Sequence, residues 1–214
     1  MTTKAAYSAL TVPDIQHTVP EVFIFESLSK QDERAKRYEG QLLSDMLRLS
    51  GKNPKYFYFQ SEAELPHLIG LFRQSQYRYL HISSHASDTE IGTTNGSLTY
   101  KAFAGHFAGH LKLRRLFFSA CQVGNQAFVD AVTAKNKGMH SIVAPVEDIH
   151  FHHAAALWSS FYLSMFTENE DAMKRANIEK RLVALGSLFP VDFFLAAYNA
   201  KHDKWESQTL RRSC

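Results

Sequence analysis

The stretch Leu116–Gly124, LFFSACQVG, runs an apolar stem directly into a serine, an alanine and a cysteine. An earlier stretch, Tyr79–Ser87, YLHISSHAS, ends in the same way on a histidine, His85. Short apolar runs of this kind are typical of strands that are buried on both faces of a parallel sheet. Because ligands of α/β sheets bind beyond the carboxyl ends of the strands, a reactive side chain at each strand end indicates a site.

Further strands alternate with helical patterns along the whole chain. Such alternation predicts a three-layer α/β/α sandwich whose central sheet is mostly parallel. One helical pattern has its apolar residues at Ala35, Tyr38, Leu42, Met46 and Leu49, and the Asn-Gly pair at 95–96 predicts a hairpin turn. The predicted strands are 21–28, 55–60, 78–83, 115–119 and 141–146, with a last strand at 189–196, and the predicted helices are 35–49, 62–74, 99–111, 125–135 and 151–166.

Length and composition favour one domain. The 214 residues, 45% of them hydrophobic, predict a single α/β domain over residues 20–214 after an N-terminal tail at residues 1–19. The 24 basic and 21 acidic residues are scattered, so no basic stripe predicts a nucleic-acid partner. No apolar segment reaches the roughly 18 residues of a membrane span. Two cysteines and a start without a signal-peptide pattern favour a cytoplasmic location.

The chemistry is predicted where two of these strands end. If one crossover joins the strands before His85 and Cys121, both residues emerge at the same edge of the sheet, on strands about 5 Å apart. A free thiol is only a few per cent thiolate at neutral pH, and a neighbouring imidazole supplies the base that makes it a nucleophile. Gly124 lets the chain turn toward a helix beginning near Asn125, whose N-terminus points toward Cys121.

These residues resemble a known family. The blocks LHISSHAS, TNGSLTYKAF, LKLRRLFFSACQVG and SIVAPVEDIHFHHAAALWSSFYLSMF look like successive signature blocks of the CHAT domain, a caspase-like cysteine peptidase family. The resemblance implies that His85 is the general base and Cys121 the nucleophile, with the backbone N–H groups of Ala86 and Cys121 as oxyanion hole. The family usually has glycine after the histidine. If that position needs a positive φ, Ala86 costs about 1 kcal/mol relative to glycine.

The same resemblance implies a substrate and a partner. The chain is expected to be a cysteine endopeptidase acting on a protein or peptide substrate without a cofactor, and a separate partner protein is expected to activate it. Glu147 and Asp148 follow the predicted strand 141–146 at the edge of the dyad. They are either two solvated acids or an acidic pocket that selects Arg or Lys before the scissile bond.

Two other functions stay open at this point. The first is a catalytically inactive caspase-like module that only binds other proteins. The second is a metal-dependent hydrolase that uses His106 and His110, spaced i and i+4, or the cluster His150, His152 and His153. The glutamate of a metalloprotease HExxH motif is missing and no third ligand is evident, so we predict no metal site.

Overall fold

A computed structural model describes residues 15–212, so part of the predicted tail at residues 1–14, and Cys214, lie outside the described residues. The described chain forms one large sheet and one small hairpin between helices. The strands are β1 (Val19–Ser27), β2 (Lys55–Tyr58), β3 (Tyr77–Ser84), β4 (Glu90–Thr93), β5 (Gly96–Thr99), β6 (Arg115–Ser119), β7 (Ser141–Pro145), β8 (Phe193–Asn199) and β9 (Lys204–Leu210).

The large sheet has the strand order β2-β1-β3-β6-β7-β8-β9. The first five strands pair in parallel, and β8 and β9 join them antiparallel, so the predicted mostly parallel sheet is confirmed. The hairpin of β4 and β5 turns at the predicted Asn-Gly pair. Sequence analysis missed β9, because its sequence KWESQTL is mostly polar and lies at an edge of the sheet, with only its last residue buried.

Helices cover both faces of this sheet and complete the three layers. One face packs against α3, α4 and α5, and the other packs against α2, α6 and α7. The helices are α1 (Lys30–Arg34), α2 (Glu39–Leu49), α3 (Leu65–Ser75), α4 (Tyr100–His106), α5 (Gln126–Thr133), α6 (Phe151–Glu168) and α7 (Arg175–Leu188).

The stretch Leu116–Gly124 contributes side chains to the hydrophobic core on both faces of the sheet. On β6, Leu116 and Phe118 lie in the core beneath α3 to α5, whereas Phe117 lies in the core beneath α6 and packs against Trp158. A strand covered on both faces therefore has no polar side, which is why its sequence is a continuous apolar run. Truncating Trp158, fully buried at this interface, to alanine is expected to cost about 3–5 kcal/mol.

The helical face predicted from Ala35 to Leu49 is wrong. A residue in the left-handed region, Lys36 with φ 55°, separates α1 from α2, and α2 begins only at Glu39. The helix buries Leu43 and Leu47, whereas Leu42 and Leu49 are 48% and 82% exposed. Apolar residues recur on two faces of this helix, so their spacing alone cannot say which face meets the sheet.

Within residues 15–212 no helix has the length and apolar character needed to cross a bilayer.

Candidate active site

The register of two neighbouring strands brings His85 and Cys121 to one edge of the sheet. Strands β3 and β6 are adjacent and parallel, and Ser83 pairs with Ser119. His85 and Cys121 each follow two residues after this pair. Both line one cavity of about 540 Å³ at the carboxyl ends of the strands. The neighbouring strands that the sequence predicted therefore place an imidazole and a thiol in the same cavity.

The imidazole of His85 is held by a carboxylate that sequence analysis did not single out. Nε2 of His85 lies 2.7 Å from Oδ2 of Asp32. Burial alone would raise the pKa of Asp32, but hydrogen bonds from Ser29, His85 and Arg37 outweigh it and lower the pKa. An ionised carboxylate only accepts, so Nε2 carries the proton and Nδ1 keeps the lone pair that a general base needs. The ring edge of His85 also packs against Phe151 at 5.4 Å between centroids.

Asp32 owes its position to a helix start. It lies in α1, directly after β1, and the side chain of the N-cap residue Ser29 accepts a hydrogen bond from the Asp32 amide. Because β1 is the other neighbour of β3, its carboxyl end opens onto the same edge as His85. A serine followed three residues later by an acid is a known helix-start signal, and this pattern at 29–32 was the cue that the sequence offered.

The thiol of Cys121 is half-buried, and its hydrogen bond goes to a backbone carbonyl rather than to His85. In the described part of the chain its hydrogen bond goes to the carbonyl oxygen of Ile149, with 3.9 Å between sulfur and oxygen. Burial raises the pKa of this thiol, the Ile149 hydrogen bond opposes the rise, and the nearby carboxylate of Asp148 adds to it. With its pKa raised, the sulfur is a thiol at neutral pH, and a nearby base is needed to form the thiolate.

The loop after Cys121 is tightly constrained. Gln122 has φ 60°, a left-handed conformation that is uncommon outside glycine. Gly124 has a different role from the sharp turn that the sequence predicted: a Cβ there would lie 2.6 Å from the carbonyl oxygen of Pro145. Glycine is needed at this position because the loop runs directly against the end of β7, with the Gly124 amide bonded to that carbonyl.

The backbone amides of two residues that line the cavity are candidate oxyanion donors. Neither the amide of Ala86 nor that of Cys121 donates a hydrogen bond to another residue within positions 15–212. Ala86 and Ile91 form an isolated antiparallel bridge. The hydrogen bonds of this bridge are made by the residues before and after Ala86 and Ile91, so the N–H of Ala86 itself is directed away from Ile91. Ala86 is not among the described residues with positive φ, so alanine costs nothing here and the strain considered from the sequence does not arise.

The two predicted pocket acids differ in their surroundings. Asp148 lines the cavity, is exposed, and accepts a hydrogen bond of 2.9 Å from Nε2 of Gln122. Glu147 does not line that cavity. Its Oε1 lies 3.0 Å from Arg212 and accepts from the amide of Asp192. The structure therefore brings Asp148 to Cys121 and ties Glu147 to the β8 side of the sheet.

The histidine pairs do not assemble a metal site. The predicted helix 99–111 ends at His106, so His110 is not on the same helix, and His106 instead bonds Glu62 at 2.7 Å. The rings of His150 and His152 stack at the start of α6, and the ring of His153 meets both edge to face. Among residues 15–212 no three His, Cys, Asp or Glu side chains are arranged to hold a metal ion.

A pair of buried carboxylates lies beside the cavity. Glu26 on β1 and Glu39 on α2 share the hydroxyl of Ser83 as a neighbour. Oε1 of Glu26 accepts from the Gly40 amide at 2.7 Å, and its Oε2 accepts from the Tyr56 hydroxyl. Burial raises the pKa of Glu26 to about 7. Glu39 also lines the cavity that holds Cys121, which Glu26 does not.

Comparison with known proteins agrees with this architecture. The chain is similar to a secreted C11 cysteine protease from Bacteroides thetaiotaomicron at 10% identity, with TM-score 0.55 over 85% of this chain and 67% of that one. It is similar to caspase-1 from Spodoptera frugiperda at 12% identity, with TM-score 0.53 over 80% of this chain and 78% of that one. It is also similar to the Arg-specific cysteine proteinase gingipain R at 13% identity, with TM-score 0.53 over 81% of this chain and 44% of that one.

At these identities the likeness concerns the fold alone. The chain has a caspase-like fold, as the resemblance implied. No family model and no curated protein matches the chain. The finer resemblance to CHAT domains therefore stays a prediction.

Proposed function

We propose that this protein is a cysteine endopeptidase in which His85 and Cys121 hydrolyse a peptide bond of a protein substrate. One observation carries the proposal: a thiol and a carboxylate-bound imidazole share one cavity at the carboxyl ends of two adjacent parallel strands. The caspase-like fold supports it, because its neighbours include cysteine proteases.

The proposed reaction follows from the groups in the cavity. Nδ1 of His85 takes the proton of the Cys121 thiol, and the thiolate attacks the scissile carbonyl carbon. The amides of Ala86 and Cys121, which donate to no other residue in the described chain, donate to the developing oxyanion. The imidazolium then protonates the leaving amine, and water hydrolyses the thioester with His85 again as base. Asp32 touches neither substrate nor sulfur, and acts as a positioning residue that orients His85 and stabilises its charged form.

The resting position of the thiol supports activation by a separate partner protein. The Cys121 sulfur bonds the carbonyl of Ile149, and its pKa is raised by burial and by Asp148. A partner or substrate that displaces the segment around Ile149 frees the sulfur to meet His85. Hydrogen bonds between catalytic groups commonly tighten only in the substrate complex.

We further propose cleavage after Arg or Lys. Three carboxylates, Asp32, Glu39 and Asp148, line the cavity, against one guanidinium, that of Arg37. Asp148 lies exposed at the mouth, where its charge attracts basic side chains but is screened by water. Glu147 is outside the cavity and is not part of this proposal.

Cleavage profiling tests the whole proposal. A peptide library is incubated with the wild-type protein and with Cys121→Ala, and the cleaved bonds are identified by mass spectrometry. We expect cleavage by the wild type only, with Arg or Lys before the scissile bond. Equal cleavage by both proteins would refute the cysteine mechanism. Cleavage after acidic or apolar residues would refute the specificity and leave the dyad standing.

The alternative of an inactive interaction module has one observation in its favour, the raised pKa of a thiol that bonds Ile149 rather than His85. An alkylating reagent separates it from the enzyme. In an active peptidase, Cys121 is labelled faster than Cys214, and His85→Ala removes that difference. In an inactive module the half-buried Cys121 is labelled more slowly, with or without His85.

A further inference from the structure

A second cavity, which we call the side cavity, adjoins the catalytic cavity between the starts of α2 and α6. Its volume is about 470 Å³. Four of its lining residues, Arg37, Glu39, His150 and Phe151, also line the cavity that holds Cys121. The two cavities therefore share a wall, and a polypeptide held in one passes beside the other.

The side cavity has an apolar part that the rest of the fold does not cover. Leu42 of α2 lines it and is 48% exposed, and Ala155 of α6 lines it as well. Within residues 15–212, neither Leu42 nor Phe151 belongs to the hydrophobic core on either face of the sheet. Phe151 instead packs edge to face against the ring of His85. An apolar surface beside a catalytic base is a place where a substrate side chain gains free energy by leaving water.

The charges that surround this apolar part are mainly positive. Lys36 is exposed and forms no ion pair with another residue of the described chain. The side chain of Arg37 is 55% exposed even though it binds Asp32. Glu39, the one carboxylate among the residues that line the side cavity, is only 3% exposed. A basic side chain of a substrate is therefore repelled here, whereas an apolar side chain meets no such penalty.

We propose that the side cavity is a second substrate subsite, which takes a large apolar side chain such as leucine from a position other than the one that precedes the scissile bond. The inference rests on the proposed function, because the shared wall places the occupant on a polypeptide that is held at Cys121. The apolar side chain packs against Leu42 and Phe151, beside the stacked rings of His150 and His152. These two histidines, which assemble no metal site with other described residues, thereby contribute to substrate recognition.

The size of the apolar part favours a substrate side chain over a second copy of this chain. Stable protein–protein interfaces bury roughly 800 Å² on each partner. Of the large apolar side chains that are exposed in residues 15–212, Leu42 alone lines the side cavity. One leucine and the edge of one phenylalanine suit a single side chain rather than a protein surface.

The test uses peptides with arginine before the scissile bond and a single leucine that is moved, one position at a time, along the rest of the peptide. We expect one position at which leucine raises kcat/KM roughly tenfold over alanine, and at which a second arginine lowers it below the alanine value. Leu42→Glu should remove the leucine preference at that position. Leu49→Glu is the matched control, because Leu49 lies on the same helix, is 82% exposed and does not line the side cavity. A preference that Leu42→Glu keeps, or that both variants lose, would overturn the inference.

A binding measurement separates this inference from the proposed activity. The Cys121→Ala protein is titrated with the same peptides by calorimetry, with and without Leu42→Glu, and thermal unfolding checks that each variant is folded. Tighter binding of one leucine peptide that Leu42→Glu abolishes would support the subsite even if the wild type cleaves nothing. Equal binding of all the peptides would refute the subsite even if the wild type is an active peptidase.

Light scattering tests the other occupant, a second copy of the chain. We expect Leu42→Glu and Leu49→Glu to have the same molar mass in solution as the wild type. A wild-type dimer that Leu42→Glu dissociates and Leu49→Glu preserves would assign the side cavity to an interface between copies and overturn the subsite.

Discussion

Nε2 of His85 lies 2.7 Å from Oδ2 of Asp32, so one nitrogen of this imidazole is bound by a carboxylate and the other is left for the thiol. Asp32 is itself held by the helix cap at Ser29 and by Arg37 at 3.0 Å. Asp32 follows β1 and His85 follows β3, and these two strands are parallel neighbours in the sheet. The base is thereby oriented before any substrate binds.

Replacing this carboxylate should slow the chemistry more than the binding. Asp32→Asn offers His85 an amide that favours the wrong tautomer, so we expect kcat to fall by at least tenfold and by up to about 10⁴-fold, with KM little changed. Glu33→Gln removes a neighbouring acid that bonds Tyr58 instead of His85, and should keep kcat within about twofold. Steady-state kinetics on one peptide measure kcat and KM of both variants. An Asp32→Asn enzyme with normal kcat would show that His85 needs no positioning residue.

The two reacting side chains should behave as one unit. Cys121→Ala and His85→Ala are each expected to abolish proteolysis, and the double variant should be no worse than either single one, because both remove the same nucleophile. Circular dichroism and thermal unfolding should find all three variants folded, since both side chains lie at a cavity rather than in a core. Losses that add in the double variant would mean that the residues act independently.

The amide of Ala86 can be tested by removing its hydrogen. Ala86→Pro deletes this donor and should lower kcat on the order of 10²-fold. Because Ala86 has no positive φ, Ala86→Gly should change kcat little. The alkylation rate of Cys121 in the proline variant checks that the rest of the site is intact. Unchanged turnover with proline at this position would assign the oxyanion donor elsewhere.

Metal removal distinguishes the dyad from a hydrolase that uses the histidine clusters. The dyad generates its own nucleophile, so dialysis against EDTA should leave the cleavage rate unchanged. His106→Ala should also leave it unchanged, because His106 bonds Glu62 and does not line the cavity. Activity that EDTA removes and zinc restores would favour the hydrolase.

Glu26 should make folding stability depend on pH. Its pKa rises on folding from 4.5 to about 7, so the folded protein keeps a proton that the unfolded chain releases in this range. The free energy of unfolding should therefore fall as pH rises from 4.5 to about 7, on the order of 3 kcal/mol in all, and Glu26 should add no further change above this range.

The matched variant removes the titrating group but keeps its shape. Glu26→Gln should flatten the fall, whereas Asp45→Asn, a change at an exposed residue of α2, should preserve it. Urea unfolding at several pH values measures both variants. The same slope in Glu26→Gln as in the wild type would mean that another group takes up the proton.

Local sequence was sufficient for the parallel strands and for the two reacting residues. The runs before His85 and Cys121 are buried on both faces of the sheet. Adjacent parallel strands leave the next residues at one edge, so strand type and crossover together predicted that both residues meet. The Asn125 cap and the hairpin at 95–96 were also predictable, because each depends on contacts within a few residues.

The other residues of the site could not be predicted from local sequence. Asp32 reaches His85 across 53 positions, and Glu39 reaches Ser83 across 44. The left-handed Lys36 lies in the break between α1 and α2, and the apolar spacing from Ala35 to Leu49 conceals this break. Periodicity records which residues are apolar, and only packing against the sheet decides which of two apolar faces is buried. Thus the sequence by itself determined the fold class and the strand ends that bear His85 and Cys121. The tertiary structure alone decided that Asp32 holds His85, that the thiol faces Ile149, and that Glu39 is buried with a free oxygen, because hydrogen bonding and desolvation depend on groups that meet only in the folded chain.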